Sequence, residues 1–413
     1  MRTLYTLVLR LVLPLVLLRL WWRGRAEPLY RESVGERFGH YDGDRPEKLI
    51  WIHAVSVGEA RAAAPLVSAL AGAFADHGIL MTCTTAAGRD TIKQLYGEAV
   101  LVAYLPYDLP EAVQHFLEYY RPRLGILMET ELWPNLLAQC SRHGVPVLLA
   151  NARLSARSAR GYRRLGALAR PAVGALAAVC AQTADDAARI RELGARNVEV
   201  TGNLKFDVEP DAAQLAAGRA WRAQVARPVV LLASTREGEE EPLVAAAGQT
   251  SVPGALIVVV PRHARRFDEV ARLAQSRRTQ APLPAAGDRV HLGDTMGEMF
   301  FYYAGCDVAV IGGSFAPLGG QNLIEALAAG APVVVGPHMY NFAEATRLAV
   351  VAGAAVQVRD ARQAMERAGE LLEDNAARAR MSEAGKALCA AHRGATARHL
   401  AVCQRLLAAT TRA

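Results

Sequence analysis

Residues 306–338 read CDVAVIGGSFAPLGGQNLIEALAAGAPVVVGPH, and this stretch decides the fold. Residues 307–311 form an apolar run stopped by Gly312 and Gly313, which predicts a buried strand. Residues 321–329 predict a helix and residues 332–335 the next strand. Strand, glycine loop, helix and strand make one parallel crossover unit. Gly319 and Gly320 stand just before the predicted helix, where they let the backbone turn tightly and bring first-turn N–H groups close to an anion. Asn322 is placed to cap that helix, and Glu325 lies one turn in, where it can accept hydrogen bonds from hydroxyls. A phosphate beside a carboxylate that holds a ribose describes a nucleotide. The spacing matches neither GxGxxG nor GxxxxGK[ST], so neither a dinucleotide fingerprint nor a P-loop is implied. An ordinary crossover whose glycines only make the turn would read the same way.

The same alternation continues on both sides. Strands are expected at 229–233, 255–260, 289–292 and 355–358 in the second half, and at 48–53, 78–85, 100–104, 124–128, 145–150, 178–181 and 198–201 in the first. Helical patterns lie between them, beginning with GEARAAAPLVSAL at 58–70. Alternation of this kind predicts an α/β protein with two doubly wound parallel sheets, whose ligands bind beyond the carboxyl ends of the strands. The expected organisation is a membrane-associated helix at 1–25, a Rossmann-like domain at 26–208, a joining helix at 209–227, a second Rossmann-like domain at 228–390, and a carboxyl-terminal helix at 391–413 packing back towards the first domain.

Composition narrows the class. With 413 residues, 52% of them hydrophobic and 21% charged, the chain has ample core for two globular domains and does not read as disordered. Six cysteines without a CxxC pair argue against a zinc site and against a secreted disulfide framework. A formal charge of +7 suits acidic partners. No block of Lys and Arg interleaved with aromatics favours nucleic acid, which leaves anionic lipid or a phosphorylated substrate.

Residues 4–22, LYTLVLRLVLPLVLLRLWW, are apolar apart from Thr6, Arg10, Pro14 and Arg19, and Arg23 and Arg25 follow. The tryptophan and arginine end resembles an interfacial anchor rather than a signal-peptide cleavage site, and it places the body on the cytoplasmic side of a membrane. Whether the segment spans or lies in one leaflet is open at this level.

Polar residues gather where strands end. His53, Ser56 and Glu59 follow the first strand, Glu129 and Glu131 the fourth, Asn151 and Arg153 the fifth, and Asn203 and Lys205 the seventh. Glu59 fits two roles, a first-turn carboxylate facing the helix dipole or a general base whose pKa is held up by a neighbour such as Glu129. Lys205 fits a plain ion pair or a cation that meets developing negative charge. Arg153, Arg157, Arg160 and Arg164 fall at i, i+4, i+7 and i+11, which would align them on one helix face towards bilayer or substrate phosphates. In the second half, Pro261 and Arg262 with His263, Met296 to Glu298, and Asn322 to Glu325 collect at one end of the predicted sheet. His263 and His338 have no metal-type neighbours at ligand spacing, so no metal is called for.

Taken together, RLWWRGR from Arg19, HAVSVGE from His53, YLPYD from Tyr104, METELWPN from Met128, NARLSARS from Asn151, TGNLKFD from Thr201, PRH from Pro261, GDTMGEM from Gly293 and GGSFAPLGGQNLIEA from Gly312 carry a resemblance. The chain resembles, along nearly its whole length, the membrane-associated Kdo transferases, which attach 3-deoxy-D-manno-octulosonic acid to the lipid A precursor of Gram-negative bacteria. The resemblance implies a GT-B fold, CMP-Kdo as donor, lipid IVA as phosphorylated acceptor, inversion at the anomeric carbon, no metal and no other cofactor. It also implies the inner membrane, with the catalytic domains facing the cytoplasm and anionic lipids as partners. Motif by motif, Glu59 would be the base, with Glu129 and Lys205 assisting the transition state. Pro261, Arg262, Met296, Gly297, Glu298, Asn322, Leu323, Ile324 and Glu325 would bind CMP, while Arg153, Arg157, Arg160 and Arg164 would meet acceptor or membrane. The chain departs from the family at Arg236, where members often carry His. Competing readings are a GT-B transferase using a UDP-sugar, a membrane-tethered nucleotide-binding protein without catalysis and, from charge alone, a nucleic-acid binder. The number of Kdo residues added and the oligomeric state are not legible.

Overall fold

A computed structural model describes residues 1–25, 32–249 and 254–410. The start of the expected first domain at residue 26 and the last three residues of the chain lie outside the described residues. Two compact units emerge, one formed by Met1–Asp207 with Gly394–Ala413 and the other by Val208–Arg393.

The first unit contains seven parallel strands, β1 Leu49–His53, β2 Gly78–Cys83, β3 Leu101–Tyr104, β4 Leu124–Met128, β5 Val147–Ala152, β6 Ala178–Ala181 and β7 Val198–Val200. Their order is β3-β2-β1-β4-β5-β6-β7, so the winding reverses between β1 and β4. β1, β4 and β5 are wholly buried, which is why they read as continuous apolar runs rather than alternating ones. Trp51 fills the layer beneath β1 against Phe116, with ring centroids 5.0 Å apart.

The second unit repeats the plan with β8 Val229–Thr235, β9 Leu256–Pro261, β10 Ser276–Arg277, β11 Val290–Leu292, β12 Val308–Ile311, β13 Val333–Val335 and β14 Ala355–Gln357. The order β10-β11-β9-β8-β12-β13-β14 reverses between β8 and β12. β10 has only two residues and no apolar run to announce it.

Several expected boundaries move. The predicted helix at 58–70 is two helices, α1 of the chain being Arg2–Arg23, α2 Val57–Ala62 and α3 Ala64–Ala73. Pro65 sits in the first turn of α3, where its missing N–H costs nothing, and the chain restarts there. The helix expected from Gln321 begins only at Ile324 and ends at Ala329. Helix Ala212–Val225 belongs to the second unit, where it packs on helix Met299–Ala304. Gly218 allows that approach, since a Cβ there would stand 2.2 Å from the Phe301 carbonyl oxygen.

Helix Ala395–Thr410 crosses back into the first unit and packs on α3. Asp207 accepts hydrogen bonds from the N–H groups of Gly394 (2.8 Å) and Thr396 (2.7 Å) and so caps it. Arg398 donates to the Thr201 carbonyl at 2.9 Å.

α1 is long and apolar enough to cross a membrane. Leu4, Leu7, Val8, Leu11, Leu15, Leu18, Trp21 and Trp22 are exposed. Its opposite side is tied to the first unit by Asn135 donating to Thr6 Oγ1 at 2.9 Å and by Arg10 donating to both oxygens of Glu111 at 3.0 and 3.1 Å.

Candidate active site

In each sheet the reversal point leaves a crevice beyond the strand ends, the place where doubly wound folds hold ligands. In the first unit that point lies between β1 and β4. Ser56 caps α2 by accepting from the Glu59 N–H, while Glu59 accepts in return from the Val55 N–H (2.8 Å) and the Ser56 hydroxyl (3.2 Å). Such a reciprocal capping arrangement fixes Glu59 in its rotamer. Burial, then the negative charge of Glu129, push its carboxyl up to about 7, against the lowering effect of the Val55 N–H and the Ser56 hydroxyl. The capping geometry and the raised pKa occur in the same side chain, so a cap at this position does not prevent the carboxyl from exchanging protons near neutral pH.

Glu129 follows β4 and is buried with φ of 58°, a left-handed conformation that a non-glycine residue adopts at some cost. Lys205 Nζ donates to one of its oxygens at 3.1 Å, and Arg153 Nε lies 3.3 Å from the other. Lys205 is in turn located by its own backbone. Its N–H donates to Asn203 Oδ1 at 3.0 Å, and the Leu204 N–H donates to Asn151 Oδ1 at 3.0 Å. Asn151, also left-handed at φ 51°, passes its carbonyl to Gln182 Nε2 at 2.9 Å, and Gln182 Oε1 receives Asn203 Nδ2 at 3.0 Å. His399, from the far end of the chain, completes the ring, its Nε2 accepting from the Asn151 N–H at 3.0 Å while Nδ1 faces the Ala395 carbonyl at 2.7 Å. Burial holds His399 neutral, its pKa lowered to about 4.

Three residues stand elsewhere than their sequence position suggested. His53 is in the core, fully buried in β1 with Nδ1 against Thr82, and burial lowers its pKa to about 3. Glu131 turns to Trp133, whose indole N–H donates to it at 2.7 Å. Arg153 precedes helix Ala156–Arg164, so the expected four-arginine face reduces to Arg157, Arg160 and Arg164, all exposed on that helix, while Arg153 faces Glu129.

The second crevice lies between β8 and β12. Here the buried carboxylate of Glu239 gathers four backbone N–H groups, those of Gly313 (2.6 Å), Phe315 (2.9 Å), Ala316 (3.3 Å) and Arg236 (2.9 Å). Four donors on one carboxylate pin the glycine loop to the end of β8. Gly319 and Gly320 are left-handed, at φ 88° and 75°, and a Cβ would meet Asn341 at 2.3 Å and Met339 at 2.2 Å. They stand five and four residues ahead of the helix start at Ile324, not at its mouth. The N–H groups of Gly320 and Gln321 are already taken by the carbonyls of Gly313 (2.6 Å) and Gly312 (3.0 Å), so these amides shape the loop instead of facing an anion.

Asn322 does not hold the expected cap position, which falls to Leu323 because the helix begins at Ile324; its Oδ1 accepts from the Ile324 N–H at 3.0 Å and its amide donates to Glu325 at 3.0 Å. Burial raises the pKa of Glu325 even with Asn322 and Arg262 nearby. Arg262 leaves β9 with its N–H on the Thr235 carbonyl at 2.9 Å. Glu298 pairs with Arg278 at 3.0 Å, Met296 is exposed, and the Gly297 carbonyl accepts from Gln214 at 3.0 Å. Among the described residues, no group of three or more His, Cys, Asp and Glu side chains is gathered as a metal ion would require.

Sequence reading passed over Glu239, Gln182 and His399. Glu239 carried a signal, since STREGEE closes β8 as GGSFAP closes β12, but its four donors come from backbone that no motif displays. His399 lies 248 residues from Asn151, and nothing local marks it.

Two doubly wound parallel sheets of this order make the GT-B fold of glycosyltransferases. MurG of Acinetobacter baumannii, 13% identical, shares this fold with a TM-score of 0.55, covering 87% of this chain and all of that one. A family profile described as 3-deoxy-D-manno-octulosonic-acid transferase (kdotransferase) matches residues 32–208, and one described as glycosyl transferases group 1 matches residues 286–388. A 3-deoxy-D-manno-octulosonic acid transferase of Bordetella pertussis is 48% identical, covering 97% of this chain and 98% of the relative, and one of Haemophilus influenzae is 36% identical, covering 97% of each. The C-terminal CMP-Kdo binding domain of WaaA from Acinetobacter baumannii is 29% identical over 43% of this chain and 98% of that one, with a TM-score of 0.41. The chain belongs to the 3-deoxy-D-manno-octulosonic acid transferase family.

Proposed function

We propose that the protein transfers Kdo from CMP-Kdo to a hydroxyl of the phosphorylated lipid A precursor lipid IVA, at the cytoplasmic face of the inner membrane. The observation that carries the chemistry is Glu59, a half-buried carboxylate locked by the Val55 N–H and the Ser56 hydroxyl, beside the buried Glu129 that helps to raise its pKa. Deprotonated, it takes the proton of the acceptor hydroxyl as the oxygen forms its bond to the anomeric carbon. The bond from that carbon to the CMP oxygen breaks with its electron pair, and CMP leaves. Attack from the face opposite the leaving group inverts the anomeric centre. Lys205, held against Glu129, supplies positive charge where negative charge develops.

Pro261, Arg262, Met296, Gly297, Glu298 and the segment Asn322 to Glu325 bind CMP in this reading, with Glu325 accepting from ribose hydroxyls. Arg157, Arg160 and Arg164 face anionic lipid. The exposed apolar side of α1 supports attachment to the bilayer.

Mass spectrometry of lipid IVA after incubation with CMP-Kdo tests the reading. One or more Kdo masses should appear with the unaltered protein and none with Glu59→Gln. CMP binding without any added mass would leave a nucleotide-binding protein and discard the transferase. Transfer from a UDP-sugar in place of CMP-Kdo would discard the donor.

A further inference from the structure

β5 does not run straight to its end. From Leu149 to Ala152 it advances three residues while its partner β6 advances two, from Val179 to Ala181, so the strand bulges around Asn151. Asn151 is fully buried and left-handed there, and its N–H leaves the ladder between the strands to meet His399 Nε2 at 3.0 Å. The same bulge carries the charged pair of the candidate site. The Ala150 carbonyl accepts from the Glu129 N–H at 2.9 Å, and Asn151 Oδ1 accepts from the Leu204 N–H at 3.0 Å, one residue ahead of Lys205. Asn151 Nδ2 is buried with no partner among the described residues, so its side chain is held through Oδ1 alone and follows its backbone. The placement of that backbone therefore decides where Lys205 meets Glu129, at 3.1 Å.

His399 is fully buried on helix Ala395–Thr410, 248 residues further along the chain. Its Nδ1 faces the Ala395 carbonyl at 2.7 Å, so that nitrogen carries the proton and Nε2 is left as an acceptor. Thr201 Oγ1 stands farther from Nε2, at 3.4 Å, which makes the Asn151 N–H the principal partner. The helix does not need this imidazole in order to dock. Val402, Cys403 and Leu407 bury its apolar face in the core of the first unit, and Asp207 caps its start. A buried N–H without an acceptor is costly, and the bulge would relax to find one if the ring were absent.

We infer that His399 is a positioning residue for sugar transfer, which fixes the β5 bulge by accepting the Asn151 N–H and through it holds Lys205 against Glu129. It acts on the reaction only through these residues and touches neither donor nor acceptor. The inference rests on the proposed reading of Lys205 as the cation that meets developing negative charge. It gives the last helix of the chain a second role, as part of the scaffold of the reaction as well as of the core.

The test is steady-state transfer from CMP-Kdo to lipid IVA by the full-length protein. In His399→Leu, kcat should fall about ten- to a hundredfold, the loss expected when a charged group is misplaced by about 1 Å, while KM for CMP-Kdo stays within about twofold. His399→Gln, whose Oε1 reaches the place of Nε2 and accepts the same N–H, should bring kcat back to within about threefold of the unaltered protein. An unchanged kcat in His399→Leu, or equal losses in the Leu and Gln variants, overturns the inference and leaves the transferase standing. In a Lys205→Met background, His399→Leu should cost less than about threefold more, and a full additional loss overturns the inference as well, because His399 would then act elsewhere. Should His399→Leu fail to fold, His399→Asn, which keeps a polar atom in the place of Nδ1 and none in that of Nε2, is read by the same comparison. Absence of transfer by the unaltered protein, or full transfer by Lys205→Met, strikes the underlying reading instead.

Discussion

The two parallel sheets reverse their winding in the same way yet furnish their crevices differently. In the first unit the crevice is built from side chains, Glu59, Glu129, Lys205 and Arg153, with backbone strain at Glu129 and Asn151 aiming them. In the second it is built from backbone, a glycine loop folded on itself and pinned by the single carboxylate of Glu239. Groups that move protons need tuned pKa values, and charge clusters in a dry pocket supply them. A group that only grips a nucleotide needs a fixed surface, and satisfied amides supply that. On the proposed reading, one plan serves reaction in one unit and nucleotide recognition in the other.

The sharpest way to break this division is Glu59→Gln, which keeps the capping geometry at the Ser56 side and removes the base. Transfer should fall by about 10³-fold with CMP affinity unchanged by calorimetry. A matching loss of CMP affinity would mean that the first unit also grips the nucleotide.

Glu239→Gln attacks the other half. One amide nitrogen would face backbone donors, so the second unit should lose about 2–4 kcal/mol in urea unfolding, and CMP should bind at least tenfold more weakly. Normal CMP affinity would show that the loop does not depend on this carboxylate.

Glu129→Gln sharpens the electrostatic side. Since Glu129 adds to burial in raising the pKa of Glu59, the acid limb of the kcat/KM profile, expected near pH 7 in the unaltered protein, should move to lower pH. The sign follows from the base, which acts deprotonated, so activity rises with pH through its pKa. A limb that stays in place would assign it to another group.

The smallest effect concerns stability in acid. His399 and His53 in the first unit and His291 in the second are all held neutral by burial, with pKa values lowered to about 4, 3 and 4. The unfolded chain takes up their protons near 6.5, so stability is whole above that pH and is lost as pH falls towards 4. The Tm should decline across that window, and more shallowly in His399→Gln.

Much of this was legible. Wholly buried strands such as β1 and β12 announce themselves as apolar runs between glycines, and the alternation with helices fixes the parallel plan. The charged residues at strand ends were found because position in a doubly wound sheet predicts chemistry. Arg153 was misplaced because helical spacing counts residues without showing where the helix starts, and Ser155 starts it two residues later. The start of the helix after Gly319 and Gly320 was misjudged, since it begins at Ile324, later than its composition suggests. Gln182 and His399 were silent because their importance lies in what surrounds them after folding, whereas Glu239 stood in a strand-end loop but its backbone donors are displayed by no motif.

Helix Ala395–Thr410 has a consequence for the order of events during synthesis. The ribosome releases residues 1–207 long before His399, Arg398 and the Gly394 amide exist to close the network around Asn151, Thr201 and Asp207. The second unit, contiguous from Val208 to Arg393, can finish first. The half that carries Glu59 is therefore completed after the second unit, by residues that follow it in the chain, and a product terminated before residue 394 would keep the fold of the second unit while leaving the network around Asn151 open.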